Sequence, residues 1–464
     1  MSEKKTELAS GSLGLTESII MGVSGAAPAF SAAASTAALV TAVGIHSPSN
    51  ILFCGLIMFG VAFAFMYLNR MSANAGASYA WVSIIFNKNI GFFAGWSLLV
   101  ASTIFMVSGT IPLATSTLAL LKPEMVSNPM WVTGIAAGWL TFISAVLLKG
   151  IKLTSYLQIF FTIFEVGILI FVIIAAFVYF LKQPSHVITL DSFNPFNFSL
   201  ELFVKGAIIS LFLFWGWDVT MNLTEETKDP YKIPGRAALW SMVIVTLLFV
   251  AFIMCALIAL TDQEIKQAGP NILLQMADKI FPKPWGNIAL IAVITSSLGT
   301  IETSILQFTR TIFAKSRDGV LHKRWSKIHS TWQTPWAATL LIWGVGMIFL
   351  IFASQEPTIT AIINVSIDSI GFQVTCYYSL CGFACAWHYR TEVVKRFSRV
   401  IPLVIWPILS ALTLISIAIY GAIYTFNKKS VLIGIGGMLI GIFPLMLNKR
   451  PVTGKKSDKK LIFN

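Results

Sequence analysis

Twelve apolar segments occupy most of this 464-residue chain, and that pattern limits its fold more than any other feature. Each segment reaches or approaches the roughly 20 residues that an α-helix needs to cross a bilayer. Because lipid offers the backbone no hydrogen-bonding partner, such segments must be helical. The sequence therefore predicts an all-α polytopic membrane protein with 12 transmembrane helices, at residues 15–44, 50–68, 91–121, 130–148, 153–181, 202–226, 236–260, 286–314, 336–353, 358–388, 400–425 and 430–447.

The charged residues are too few for a soluble protein of this length. Asp, Glu, Lys and Arg make up 11% of the chain, against about 25% in soluble globular domains. Polar tails at 1–14 and 448–464 flank the apolar part, and the first tail lacks the pattern of a cleaved signal peptide. The five cysteines lie in apolar segments without polar companions, so we expect small buried side chains and no metal site.

The distribution of basic residues predicts the orientation of the chain. An even number of spans places both termini on one side, and 25 of the 33 Lys and Arg residues fall on that side. Positive residues accumulate on the cytoplasmic side of membrane proteins. We therefore expect a multi-pass protein of the plasma or bacterial inner membrane with both termini in the cytoplasm. Contacts with anionic lipid headgroups then explain the formal charge of +13, which requires no nucleic acid.

Two of the predicted helices are interrupted at corresponding places. The first contains Gly22, Gly25 and Pro28 in mid-span, and the sixth contains Gly216 between two tryptophans. Breaks at matching positions of two five-helix halves are typical of inverted-repeat transporters, whose site lies at the midplane. The pattern predicts a first five-helix repeat at 15–181, a second, inverted one at 202–388, and two peripheral helices within 400–447.

Four stretches carry motifs in a recognisable order. They read RMSANAGASYAWVSIIFNKNIGFFAGW (70–96), TSYLQIFFTIFE (154–165), FWGWDVTMNLTEETKDPYKIPGRA (214–237) and ETSILQFTRTIFAKSRDGVLH (302–322). With these motifs the chain resembles the amino acid–polyamine–organocation (APC) superfamily of transporters over residues 14–450. The resemblance implies a LeuT-like fold, a 5+5 inverted repeat with two peripheral helices. Some members carry a lysine where this chain has Glu165, so the charge is reversed there.

A helix that breaks inside the membrane exposes N–H and C=O groups without helical partners, so the break must line a cavity. In the first helix, N–H groups after the break suit an anionic ligand group, and we expect them from Gly25, Ala26, Ala27 and Ala29. In the sixth, freed carbonyls suit an ammonium group, and the aromatic rings either hold a cation or simply pack. The predicted substrate-binding residues are Ser24, Gly25, Ala26, Ala27, Phe214, Trp215, Gly216, Trp217 and Asp218.

Four carboxylates lie well inside apolar segments, with no Lys or Arg at the same depth: Glu165, Asp218, Glu302 and Asp368. Acids within spans are costly and usually face the bundle interior or a water-filled cavity. We expect Glu165, Asp218 and Asp368 to take part in proton or ion coupling, and Asp218 also to attract an ammonium-bearing solute. The alternative is structural: Asp218 holds the broken helix together, and the other two bond to neighbouring helices.

These features together predict a secondary active transporter of amino acids or polyamines that works by alternating access, driven by protons or by a counter-substrate. No nucleotide-binding motif stands where it would matter, so we expect no cofactor. A polytopic membrane enzyme is an alternative, but it needs a nucleophile–base or metal constellation, and the loops show none. A channel is the second alternative, although broken helices suit an occluded site better than an open pore. We therefore expect a protein that is not an enzyme.

Overall fold

A computed structural model of the chain describes residues 8–197, 199–355, 358–395 and 397–447. The predicted C-terminal tail, 448–464, and the first seven residues of the N-terminal tail lie outside these ranges. The described residues form helices joined by loops and contain no β-strand. The α-helices are α1 (Leu15–Ala26), α2 (Pro28–Val43), α3 (Ser47–Met71), α4 (Ser78–Ile85), α5 (Lys88–Ser108), α6 (Thr110–Leu121), α7 (Pro129–Leu148), α8 (Ile151–Phe180), α9 (Leu200–Leu213), α10 (Val219–Asn222), α11 (Ile233–Ala259), α12 (Asp262–Ala268), α13 (Ile272–Ile280), α14 (Ile288–Arg317), α15 (Trp336–Ala353), α16 (Ile359–Lys395), α17 (Trp406–Tyr420), α18 (Lys428–Ile440) and α19 (Ile442–Leu447).

The helices agree with the sequence in their membrane character and differ in number. By length and composition, nine helical stretches of the described residues can cross a bilayer. The first, Leu15–Met71, includes α1, α2 and α3 and so covers two predicted segments. Segments 202–226 and 358–388 are not among the nine; in the first of these, α9 is interrupted after Leu213. The count of 12 and the inverted repeat therefore stay predictions.

Helix α8 shows the polarity expected of a lipid-facing helix. Its outer face exposes large apolar side chains, among them Phe160 and Ile163. Its opposite face buries the polar side chains of Gln158, Thr162 and Glu165. A soluble protein would place these two classes the other way round. The helix thus presents apolar groups to lipid and polar groups to the bundle interior.

Helix α14 lies at the centre of the bundle, and nearly all of its side chains are buried. It packs against α1, α2, α5, α6 and α8. Around it, α11 runs along α3 and α16 along α5. Helix α17 packs on α3 and α16, and α18 packs on α16 and α5. The interrupted helices therefore meet at α14, while the predicted repeat boundaries stay predictions.

Candidate functional site

The first predicted transmembrane helix is interrupted at Ala27. Helix α1 ends at Ala26, and α2 begins at Pro28. Ala27 has φ 49° and ψ 66°, in the left-handed region that residues with a side chain rarely adopt. Pro28 suits the first helical position because it has no N–H to leave unpaired and its φ is already helical. We call Ala27 the first break. The sequence predicted this break at Gly25, two residues earlier.

This shift changes the backbone groups that α1 offers. Because α1 continues through Ala26, its last turn frees carbonyls and not N–H groups. The Gly25 carbonyl accepts a hydrogen bond from Thr300 Oγ1 at 2.9 Å. Beyond the break, the Phe30 amide donates to Ser296 Oγ at 3.1 Å. The expectation that the Gly25 and Ala26 amides follow the break was therefore wrong, since both lie before it.

The sixth predicted helix is interrupted where the sequence indicated. Helix α9 ends at Leu213 and α10 begins at Val219, so residues 214–218 lie between them; we call this the second break. Gly216 has φ 104°, a conformation that a residue with a Cβ rarely adopts. Phe214 is fully buried and meets Phe249 edge to face at 5.8 Å. The predicted interruption at Phe214–Trp217 is thus present, and glycine makes its geometry possible.

The last turn of α1, just before the first break, contacts the second break through the backbone. A Cβ added to Gly25 would overlap the Gly216 carbonyl, and a Cβ added to Gly216 would overlap the Gly25 carbonyl. The overlapping atoms belong to the backbone in both cases, so no flexible side chain could move aside to make room for the added Cβ. The structure therefore brings these two predicted site residues together and excludes any larger residue at either position.

Asp218 ends the second break with both carboxylate oxygens occupied. Tyr377 donates its hydroxyl to Oδ2 and Tyr378 donates to Oδ1, each at 3.0 Å. Trp215 donates its indole N–H to the Tyr377 hydroxyl at 2.8 Å. The Asp218 side chain is only 1% exposed. In this conformation Asp218 ties the second break to α16, and direct contact with a solute requires at least one tyrosine to release it.

Ser24 and Glu165 lie near the first break, where α8 packs against α1. The Gln158 amide donates to Ser24 Oγ and so ties α8 to α1. Glu165 is fully buried, and neither of its oxygens has a hydrogen-bond partner among the described residues. Its carboxylate is directed toward Ser296 and the Ala29 amide at the start of α2. A helix N-terminus favours negative charge, so α2 supplies the favourable field at this position.

Asp368 lies on α16 and bonds to α18. Its Oδ2 accepts a hydrogen bond from Ser430 Oγ on α18 at 3.1 Å. It also lines a cavity of about 40 Å³ that is bordered by Trp215 and by residues of α3, α9 and α17. The structure therefore does not gather Glu165, Asp218 and Asp368 into one cluster.

A cavity of about 350 Å³ approaches the breaks from the side of the α12–α13 loop. Phe30 lies at its deep end, and Ser116, Asn271 and Thr358 add polar groups to an apolar wall. None of the described residues that line it is charged. We call this cavity the vestibule.

An aromatic layer separates the vestibule from Asp218. Phe30 meets Phe105 edge to face at 6.4 Å, and Phe105 meets Trp215 edge to face at 5.2 Å. On the other side of the second break, Trp217 packs on Phe65 at 5.4 Å. The two tryptophans of the WGW motif thus pack on different sides of the second break. Trp215 lies between the vestibule and the tyrosines that hold Asp218.

The opposite end of the bundle is closed by ion pairs. Glu226 accepts two hydrogen bonds from the Arg310 guanidinium, at 2.8 and 2.9 Å, and both side chains are buried. Glu225 accepts two from Arg317 at similar distances, where water has partial access. Glu225 also accepts a hydrogen bond from the Ala75 amide at 2.9 Å. We call this network, with Asn222 donating to the Ala75 carbonyl, the basal closure.

The two glutamates of the basal closure give a matched test. We expect Glu226→Gln to lower the free energy of unfolding by about 3–5 kcal/mol, because it leaves the buried Arg310 charge uncompensated. Glu225→Gln should cost about 1 kcal/mol or less, because Arg317 reaches solvent. Thermal denaturation of the purified variants in detergent measures both. Equal losses would contradict the assignment of Glu226 and Arg310 as the buried anchor.

Several residues that shape this site were not predicted from the sequence. Tyr377 and Tyr378 form an adjacent hydroxyl pair in an apolar segment, and that pairing was the one available signal. Thr300 and Ser296 cap the first break from α14, which a single sequence does not reveal. Arg310 is buried as well, and its pairing with Glu226 was not predicted.

The comparisons with known proteins decide the family. Residues 13–443 match the family described as amino acid permease. The chain belongs to this amino acid permease family. The low-affinity putrescine importer PlaP of Escherichia coli (strain K12) is 26% identical over 69% of this permease and 70% of its own length. The serine/threonine exchanger SteT of Bacillus subtilis (strain 168) is 23% identical over 67% of each chain.

A mammalian relative extends the comparison. The b(0,+)-type amino acid transporter 1 of Mus musculus is 24% identical over 75% of this permease and 68% of that protein. The family and these relatives are transporters of amino acids or similar small molecules, which agrees with the predicted class. Among the described residues of the permease, no three His, Cys, Asp or Glu side chains are placed to hold a metal ion.

Proposed function

We propose that this permease is a secondary active transporter that carries an amino acid or a polyamine across the plasma or inner membrane by alternating access. Its 12 spans form a 5+5 inverted repeat, with both termini in the cytoplasm. The observation that carries the proposal is the backbone contact between the two breaks at Gly25 and Gly216. Broken helices that meet inside a bundle are the arrangement in which secondary transporters bind their solute.

The closures at the two ends support alternating access. The basal closure seals one end with buried and half-buried ion pairs. At the other end the vestibule reaches as far as Phe30 and stops at the aromatic layer. A solute site between these barriers opens toward the vestibule when the rings move, and toward the other side when the ion pairs separate. Such exclusive opening is what a carrier needs and a channel lacks.

The lining of the vestibule favours an amino acid over a polyamine. A diamine carries two ammonium groups and no compensating carboxylate, so it needs acidic partners along its route. The described lining offers hydroxyl and amide groups and no acid. At the breaks, both oxygens of Asp218 are already bonded to tyrosines. A zwitterion of small size and no net charge suits these surroundings better.

A thermal-shift screen tests the substrate class, because a ligand stabilises the state that it binds. The purified permease would be heated with single amino acids, putrescine and longer polyamines. We expect a neutral amino acid to raise the melting temperature and putrescine to have little effect. Stabilisation by the polyamines alone would overturn the amino acid assignment, and no stabilisation by either class would remove the support for both.

Glu165 is the proposed site of proton coupling, and Asp368 remains a second candidate. We expect Glu165→Gln to permit solute exchange while abolishing uptake driven by a proton gradient, because the amide cannot take up and release a proton. Glu302→Gln is the matched control: Glu302 is also buried on the bundle interior, and one of its oxygens has no partner among the described groups. Proteoliposomes with and without an imposed pH gradient measure both activities. Proton-driven uptake that survives in Glu165→Gln leaves that residue a structural role.

A further inference from the structure

Lys315, near the end of α14, is a fully buried lysine that the proposed mechanism does not use. Its ammonium donates a hydrogen bond to the Phe92 carbonyl at 2.9 Å. The ion pairs found among the described residues include Arg310 and Arg317 of α14 but not Lys315. A buried charge without a counter-charge is costly. For Lys315 to remain protonated at this position, its surroundings must supply a specific compensation.

Three aromatic rings surround the ammonium. Its Nζ lies 4.1 Å from the centre of the Phe92 ring, 5.6 Å from that of Tyr79 and 5.7 Å from that of Trp96. A Cβ on Gly95 would stand 3.3 Å from Nζ and 2.6 Å from the Tyr79 Cβ, so glycine lets the helices approach this closely. The negative faces of aromatic rings attract cations, most strongly where water is excluded. We call Tyr79, Phe92, Gly95 and Trp96 the cage.

The cage and the basal closure join the same parts of the molecule. The cage residues belong to α4 and α5, and Ala75 of the basal closure lies just before α4. Tyr79 also donates its hydroxyl to Asp318 at 3.0 Å, beside the Arg317 that pairs with Glu225. The segment from Ala75 to the start of α5 is thus held at two places, one by the hydrogen bonds of Ala75 to Glu225 and Asn222 and one by the cage.

We propose that Lys315 is the positioning residue of the basal closure. Its ammonium, bound in the cage, fixes α4 and the start of α5 on α14, and this keeps the Ala75 backbone groups in place for Asn222 and Glu225. The proposal rests on the proposed alternating-access function. Opening at this end separates α4 from α14 and withdraws the ammonium from the rings. The strength of the cage therefore sets the fraction of molecules that are open at the basal end.

Hydrogen exchange on the purified permease tests the positioning role without any transport assay. We expect Lys315→Met, which keeps the length of the side chain and removes the charge, to speed amide exchange in residues 72–87 about tenfold. Lys315→Arg should restore most of the protection, because it keeps the cation. Lys323→Met, at an exposed position just beyond α14, should behave like the wild type. Exchange in 72–87 that is unchanged, or that rises equally throughout the bundle, would overturn the proposal.

Transport kinetics at the two faces separate a shifted equilibrium from simple damage. In Lys315→Met, fewer molecules are open to the vestibule, so the KM for solute added at that face should rise about tenfold while the KM at the basal face falls. A merely structural loss would lower the maximal rate at both faces and leave the two KM values alike, and this outcome would contradict the proposal. If the wild type shows no saturable transport, the proposed function fails, while the exchange result still decides the role of Lys315.

A second variant keeps the proposal testable if Lys315→Met does not assemble. Phe92→Leu removes the nearest ring and leaves both the ammonium and the Phe92 carbonyl contact. We expect it to reproduce the faster exchange in 72–87 at a smaller size. Protection equal to that of the wild type would show that the rings do not hold the cation, and the proposal would fall.

Discussion

Gly216→Ala and Gly25→Ala are expected to reduce transport by about two orders of magnitude, the size of effect that a displacement of about 1 Å has at a catalytic site. Each substitution places a Cβ against the backbone carbonyl of the other break, so the two breaks must separate. Gly216→Ala should be the more severe, because its φ of 104° adds backbone strain to the overlap.

Lipid-facing glycines of α7 supply the control. Gly134 and Gly138 are helical, and a Cβ at either would meet no other atom within 4 Å. Alanine there should leave transport unchanged and raise stability slightly, since alanine is about 1 kcal/mol better than glycine inside a helix. Initial rates of uptake, corrected for the amount of protein inserted, measure all four variants. Near-normal rates in Gly216→Ala would contradict the close contact between the breaks.

Asp218→Asn is the second substitution with a large expected effect. An amide can accept a hydrogen bond through one atom only, so one of the two tyrosines loses its acceptor. Hydrogen bonds to charged groups contribute about 1.5–3 kcal/mol each, so we expect transport to fall at least about tenfold. Tyr378→Phe, which removes one bond and keeps the charge, should have a smaller effect. Asp191→Asn, at an exposed loop position, should have none.

The comparison of stability with transport distinguishes the two roles that the sequence left open for Asp218. If it only holds the second break to α16, the melting temperature and the transport rate should fall together in Asp218→Asn and Tyr378→Phe. If it also handles a proton or an ammonium group, Asp218→Asn should lose transport beyond its loss of stability. If uptake by Asp218→Asn equals that of the wild type at every pH between about 5 and 8, Asp218 has no part in the mechanism.

Local chemistry made the second break predictable. Gly216 between two tryptophans, followed by an acid inside an apolar segment, has few explanations other than an interrupted helix. The position of the first break was predicted two residues too early. Both Gly25 and Pro28 suggested a break, and only the packing decides which of the two residues marks it. Pro28 starts the second half-helix, while Gly25 is required by the nearness of Gly216, a contact between residues almost 200 positions apart.

Partners that come from distant helices were not predictable from one sequence. The carboxylate of Asp218 was identified, but its partners Tyr377 and Tyr378 lie on a helix about 160 residues further along the chain. Lys315 was counted among the basic residues of the cytoplasmic side, since apolar periodicity does not show that three rings enclose it. Long-range pairing of this kind is decided by tertiary packing and leaves no local pattern.

Counterflow in proteoliposomes tests the central claim most directly. Vesicles that contain the purified permease would be loaded with a high concentration of an unlabelled neutral amino acid and diluted into a trace of the labelled one. A carrier that exposes one site to one side at a time predicts a transient accumulation of label above the outside concentration, which disappears in Gly216→Ala and persists in Gly138→Ala. Label that only equilibrates, together with an ohmic current, would contradict the account.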